Sequence, residues 1–204
     1  MLALDTSSRV LKLAAFDGNN CVLERSLEAL MRQNESLAPL FSATLESLGW
    51  KASELGMLAV SLGPGSFTGL RTGLAFAKGI CFATGAKLVG IPTLEAWAEA
   101  SKKPETLVWL DARRGMVYRG WYKEGKPVCP SAMIPLEQAR EEQTDKAARV
   151  GDLPDMEGSC GADAVGRLAL RRLAAGLLDD PATLEPLYLR RAEAEILWEQ
   201  RHGV

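Results

Sequence analysis

Apolar positions along this chain follow two periods, and the switch between them marks out the elements. Met1 to Leu4 and Leu11 to Phe16 are short apolar runs joined by Asp5-Thr6-Ser7-Ser8-Arg9, and each reads as a buried strand. Asp17-Gly18-Asn19-Asn20 is a hairpin turn leading into a third strand, Cys21 to Leu27. The period then changes. Leu37, Leu40, Phe41, Thr44, Leu45 and Leu48 fall on one face of a predicted helix from Ser36 to Leu48, with Ser36 as N-cap, Pro39 in the first turn and Gly49 at its end. Met57 to Leu62 is a strand, Leu70 to Thr84 a helix stopped by Gly85, and Lys87 to Ile91 a strand. Thr93 caps a further helix, Leu94 to Ser101.

The polar break Lys102-Lys103-Pro104-Glu105 divides the chain into residues 1–103 and 104–204. The second part predicts strands at Thr106 to Leu110 and Met116 to Tyr122 around the turn Asp111-Ala112-Arg113-Arg114-Gly115. A short helix from Leu136 to Glu142, a strand over Lys146 to Val150 and an amphipathic helix over Ala162 to Ala175 follow, with Val165, Leu168, Leu173 and Leu177 on its apolar side. Strands alternating with helices give an α/β fold of two mixed sheets with flanking helices. Both parts open strand-turn-strand with an acidic residue at the turn, Asp5 and Asp111, which hints at duplication.

The run Gly63-Pro64-Gly65-Ser66-Phe67-Thr68-Gly69-Leu70-Arg71 joins a strand to a helix. Free N–H groups at a helix start make such a junction a candidate anion site. The run has neither the Gly-Lys-Ser/Thr closure of a P-loop nor the Gly-x-Gly-x-x-Gly spacing of a dinucleotide fold. The helix behind it carries two rows of small residues, Gly69, Gly73 and Ala77 on one face and Ala75, Gly79 and Ala83 on another. Glycine costs a helix about 1 kcal/mol per position relative to alanine, so these rows favour close helix packing over phosphate binding.

Composition narrows the chemistry. A 204-residue chain with 47% hydrophobic and 25% charged residues is that of a globular protein with a real core, and no apolar run is long enough to span a membrane. No basic leader precedes the first strand. The four cysteines, Cys21, Cys81, Cys129 and Cys160, form no Cys-x-x-Cys pair, which argues for free thiols in a reducing cytoplasm rather than a zinc or redox motif. A net charge of −2 gives no broad nucleic-acid footprint. The single histidine, His202, stands near the C-terminus, so a His-based metal pair or a Ser-His-Asp triad is implausible.

Asp5-Thr6-Ser7-Ser8, the Gly63 to Arg71 run, Asp111-Ala112-Arg113-Arg114-Gly115 and Tyr188-Leu189-Arg190 come in one order. Together they closely resemble the TsaB (YeaZ) family of tRNA threonylcarbamoyladenosine biosynthesis proteins, over nearly the whole chain. The resemblance implies the actin-like ATPase fold of two RNase-H-like halves, the second abbreviated. It implies a non-catalytic cytoplasmic partner of TsaD, acting with TsaE in modifying tRNAs that read ANN codons, with tRNA met mainly through the complex and a homodimer when alone. In active members of the superfamily an Asp-x-x-Ser/Thr turn holds magnesium and nucleotide phosphates. Here Asp5, Thr6, Ser7 and Ser8, with Gly63, Pro64, Gly65, Ser66, Thr68 and Gly69, are expected to be vestigial nucleotide loops, with ATP or ADP binding weak or absent and no metal site.

The resemblance also points to the first two helices as the partner surface. The candidates are Ser36, Leu37, Leu40, Phe41, Thr44, Leu48, Leu70, Gly73, Leu74, Ala77 and Lys78; periodicity does not separate a partner face from a face on the chain's own sheet. The family commonly has Arg-His-Ser-Glu where this chain has Arg32-Gln33-Asn34-Glu35, and its closing helix is expected to be shorter here. Two rival readings are a metallopeptidase, which needs a histidine-containing metal site, and a small-molecule kinase of the same superfamily, which needs a second phosphate loop.

Overall fold

The structure is a computed structural model and describes residues 1–29, 33–142 and 147–190. Arg32, Lys146, His202 and the expected closing helix lie outside the described residues. Two sheets form the frame. The first contains β1 (Leu2–Asp5), β2 (Val10–Asp17), β3 (Asn20–Glu28), β4 (Met57–Gly63) and β5 (Lys87–Pro92), in the order β3-β2-β1-β4-β5. β1 runs antiparallel to β2 and parallel to β4. The central strands read as continuous apolar runs because they are covered on both faces. Leu2, Leu4, Leu58 and Val60 face α1 (Gln33–Leu48) and α2 (Phe67–Thr84), whereas Ala3, Ala59, Val89 and Ile91 face α5 (Ala162–Ala174). α5 approaches the sheet where Gly166 lies against the Phe16 ring, too close for any side chain.

The second sheet contains β6 (Glu105–Asp111), β7 (Met116–Lys123), β8 (Lys126–Pro135) and β9 (Ala148–Gly151), in the order β8-β7-β6-β9. α3 (Thr93–Ser101) covers one face through Leu94 and Ala98; the small α4 (Leu136–Glu141) partly covers the other. The last helix, α5, returns to the first sheet and is tied to α3 by ion pairs of Glu95 with Arg172 and of Glu99 with Arg167 and Arg171.

Several local expectations change. Ser36 lies inside α1, which already spans Gln33, so Pro39 sits beyond the first turn; Pro39 is exposed, and the carbonyl it leaves unbonded can reach water. α2 begins at Phe67, three residues before the expected Leu70, because Ser66 caps it: its Oγ accepts from Gly69 N at 3.2 Å. Thr93 is the first residue of α3, after Pro92, and its buried hydroxyl finds no partner. Leu177 lies outside α5 and is exposed. β8 is absent from the sequence reading because Pro127, Pro130 and Pro135 interrupt its pattern; an edge strand tolerates them, since only one of its sides pairs.

Candidate functional site

Asp5 ends β1, and its carboxylate turns inward. Oδ1 accepts Ser7 N at 2.9 Å and Ser61 Oγ at 2.8 Å, while Oδ2 lies 3.8 Å from Lys12 Nζ. Lys12 also donates to the Cys160 carbonyl at 2.6 Å. Ser61 Oγ in turn accepts from Thr6 N at 3.3 Å. Asp5 is 2% exposed, so β1, β2 and β4 enclose a small, paired polar cluster at their ends. Ser8 closes the turn differently, its Oγ bonding both N–H and C=O of Val10 at 3.2 and 3.1 Å. Sequence reasoning does not reach Lys12 or Ser61, whose roles depend on strand register.

The glycine run lies directly on this turn. Ser66 N–H, at the head of α2, donates to the Ser7 carbonyl at 2.7 Å. A side chain at Gly65 would start 2.4 Å from that same carbonyl, and one at Gly73 would start 2.2 Å from Thr6 Oγ1. The glycines therefore let the loop and α2 settle onto the chain's own first turn. Thr6 Oγ1 is buried against α2 without a hydrogen-bond partner. The peptide bond before Pro64 is cis. Gly63, with φ 111°, is crossed by the C-terminal segment: Leu187 N donates to Leu62 O at 2.8 Å, and the Leu187 carbonyl lies 2.8 Å from where a Gly63 side chain would begin. Gly63, Pro64 and Gly69 are buried, Gly65 is half-buried, and Ser66 and Thr68 are exposed, with the Thr68 carbonyl accepting from Thr72 Oγ1.

The Asp5 carboxylate is not free to take a magnesium ion at this turn: it is engaged by an amide, a hydroxyl and an ammonium group, and the Ser66 N–H at the head of α2 holds the Ser7 carbonyl. Among the described residues no group of three or more His, Cys, Asp or Glu side chains is arranged to hold a metal ion.

The turn of the second half repeats the first locally: Asp111 ends β6 and its Oδ1 accepts Arg113 N at 2.8 Å, as Asp5 accepts Ser7 N. Arg113, Arg114 and Gly115 all have positive φ in this turn and are exposed.

Of the helix candidates, Leu37, Phe41, Thr44, Leu70, Gly73, Leu74 and Ala77 are buried on the chain's own sheet and first turn, so their side chains are not available to a partner. Ser36, Leu40, Leu48 and Lys78 are half-buried at the margin. The two helices pack on each other through Phe41 and Phe76, rings edge to face at 5.1 Å, and through a hydrogen bond from Thr72 Oγ1 to Asn34 Oδ1. What α2 turns to solvent is the other small row, Ala75, Gly79 and Ala83, with Phe82 at 68% exposure; α1 beside it presents Ala38, Ser42 and Glu46. A side chain at Gly79 would meet nothing within 4 Å. At the head of α2, Phe67 stacks on Tyr188 with ring centroids 4.9 Å apart, and Arg71 lies over Phe67 and donates to the Tyr188 hydroxyl at 2.8 Å.

Two mixed sheets with matching strand orders, each opening on an acidic turn, define an α/β fold of two similar halves with the second abbreviated. The profile of a family described as TsaD: tRNA N6-adenosine threonylcarbamoyltransferase matches residues 28–170. An uncharacterized protein of Mycobacterium tuberculosis is 31% identical over 206 residues, covering 97% of this chain and 94% of the relative. The tRNA threonylcarbamoyladenosine biosynthesis protein TsaB of Bacillus subtilis is 27% identical over 222 residues, covering 97% of each. The solved structure of YeaZ from Pseudomonas aeruginosa superposes with a TM-score of 0.80 at 23% identity, covering 92% of this chain and 98% of that one. The chain belongs to this family, on its TsaB (YeaZ) side.

Proposed function

We propose that this chain serves the formation of threonylcarbamoyladenosine in tRNA as a scaffold subunit that binds TsaD, with TsaE, and performs no chemistry of its own. It works in the cytoplasm, forms a homodimer when alone and meets tRNA mainly through the complex. End-to-end similarity to a protein named for that biosynthesis supports the pathway. The observation that carries the scaffold role is the outward face of α2. Ala75, Gly79 and Ala83 leave the helix backbone open to close approach, and the exposed Phe82 ring supplies a large apolar contact beside them. The inward-turned Asp5 agrees with a subunit that does not handle nucleotide.

Ala75→Glu and Gly79→Arg test this, because both positions are exposed and helix-compatible, so folding is preserved. Size-exclusion chromatography with purified TsaD is expected to give a co-eluting complex for the wild type and none for the double variant. Co-elution unaffected by these changes and by Phe82→Asp would refute docking through α2. Normal threonylcarbamoyladenosine in the tRNA of a deletion strain lacking any second copy of the gene would refute the pathway.

A further inference from the structure

In open α/β folds ligands bind in the crevice at the carboxyl ends of the strands. In this chain that crevice is crossed by the protein itself. After α5 the backbone docks on the edge of β5, Asp179 N donating to Leu88 O at 3.0 Å and Asp179 Oδ2 accepting from Gly90 N at 2.8 Å. Leu184 then packs on the core beneath α2. Leu187 hydrogen bonds at the end of β4, and Tyr188 stacks on Phe67 and accepts from Arg71. The next two residues cross to the other half. Leu189 joins the apolar cluster of Val108, Leu110 and Tyr118, and Arg190 donates to the Ala112 carbonyl at 3.3 Å, in the acidic turn of the second sheet.

We propose that residues 184–190 are a fixed strap that occupies the crevice in place of a nucleotide and clamps the two halves to each other. Adjacent residues of one short segment hold the glycine loop on one side and the Asp111 turn on the other, which is where a bound ligand would bridge two closing lobes. The Gly63 conformation belongs to this arrangement: with φ 111° and the Leu187 carbonyl against it, the loop is shaped around the strap. The strap also fixes the head of α2 through Phe67 and Arg71, so the outward face of that helix is presented in one orientation.

Hydrogen exchange on the isolated full chain tests the clamp without involving any partner, so its outcome is independent of the docking reading. In the wild type the Leu187 amide is expected to be protected. In Tyr188→Ala/Arg190→Ala, exchange at residues 62–66 and 111–115 is expected to rise about tenfold, the equivalent of losing roughly one net hydrogen bond's worth of closure, while β1 and β2 keep their protection. The milder Tyr188→Phe and Arg190→Gln provide the same reading should the double variant fail to fold. Magnesium-ATP at millimolar concentration is expected to change neither the melting temperature nor the exchange of residues 184–190. Unprotected Leu187, unchanged exchange at 62–66 and 111–115 in the variants, a uniform rise across the first sheet, or strap exchange accelerated by magnesium-ATP would each overturn the proposal.

Discussion

Replacing Gly73 with alanine separates the two small-residue rows of α2 by their energetics. An alanine Cβ there would lie 2.2 Å from Thr6 Oγ1, 2.9 Å from its Cγ2 and 3.1 Å from its Cβ. Rotating the Thr6 side chain exchanges one clash for another, since both branches are close, and Thr6 is 1% exposed with nowhere to go. Either α2 or the first turn must shift. Overpacking of this kind costs about 1–3 kcal/mol, and a displacement of both a helix and a turn belongs at the upper end. Alanine returns up to about 1 kcal/mol of helix propensity. The net expectation is a loss of about 2 kcal/mol, a drop in Tm of roughly 4–8 °C for a chain of this size.

Gly79→Ala is the matched control on the same helix. It meets open space and is expected to gain about 0.5–1 kcal/mol from propensity alone. Thr6→Ala removes both offending atoms together with a buried hydroxyl that has no partner, so Gly73→Ala in that background is expected to be nearly neutral. Urea denaturation of the four proteins in the Thr6/Gly73 cycle should return a coupling of at least about 1 kcal/mol. A stabilising Gly73→Ala, or a coupling below about 0.5 kcal/mol, would refute the argument that the glycine exists for the first turn.

Glu99 is held below the usual carboxylate range by its hydrogen bonds from Arg171 and then Arg167, against the opposing effect of burial. Its stabilisation is therefore complete above its unfolded value near 4.5 and lost as the pH falls through the lower folded value, so Glu99→Gln should flatten the acid limb of a Tm-against-pH curve there and cost about 1 kcal/mol at pH 7, modest because Arg171 is more than half exposed. Burial pushes the Cys81 thiol up to about 11 and raises Cys160 as well; Cys21 is also raised, by partial burial and then by Glu24, but it alone of the three is exposed to a reagent. Brief iodoacetamide treatment of the folded protein at pH 8 should label Cys21 and spare Cys81 and Cys160, and mass spectrometry showing Cys160 modified would contradict the packing under α5.

The order of strands and helices is legible in the chain because it rests on local pattern: the runs at Leu2, Leu11 and Met57, the hairpin at Asp17 to Asn20 and the stop at Gly85 all declare themselves within a few residues. β8 is hidden because its prolines are acceptable only at an edge, a property of the sheet and not of the segment. The candidate site is legible as positions and illegible as directions. Gly69, Gly73 and Ala77 identify a close approach, but which body approaches depends on Thr6, far away along the chain. Asp5 stands out at a turn, yet its inward rotation is set by Ser61 and Lys12 through strand register. Tyr188 is noticeable as part of a motif, and its partner Arg71 lies 117 residues earlier.

The duplicated turn supplies one more prediction, in which the same substitution should act with opposite sign in the two halves. The strand orders β3-β2-β1-β4 and β8-β7-β6-β9 match, and Asp5 and Asp111 each accept an N–H two residues on. The surroundings differ: Lys12, held by the Cys160 carbonyl, and Ser61 close over Asp5 on the α5 face of the first sheet, whereas Asp111 stays exposed. Asp5 faces Lys12; Asp5→Asn keeps an acceptor for Ser7 and Ser61 but strips the charge from a mostly buried pair, and should cost about 3 kcal/mol. Beside Asp111, Asp152 Oδ1 accepts Asp111 N at 2.6 Å, and burial followed by the neighbouring Asp111 charge raises the Asp152 pKa despite that bond. A raised carboxylate pKa means that ionisation weakens the fold, so stability grows as the pH falls through the folded value. Asp152→Asn retains the acceptor and removes the charge, and should leave stability at pH 7 equal or higher, by no more than about 0.5 kcal/mol because the residue, though its carboxyl is partly enclosed, keeps contact with solvent. Urea midpoints at pH 7 that fall equally for both variants would mean that the enclosed Asp5 charge and the Asp152 charge beside the open turn contribute alike, and that burial with Lys12 does not set Asp5 apart as the geometry requires.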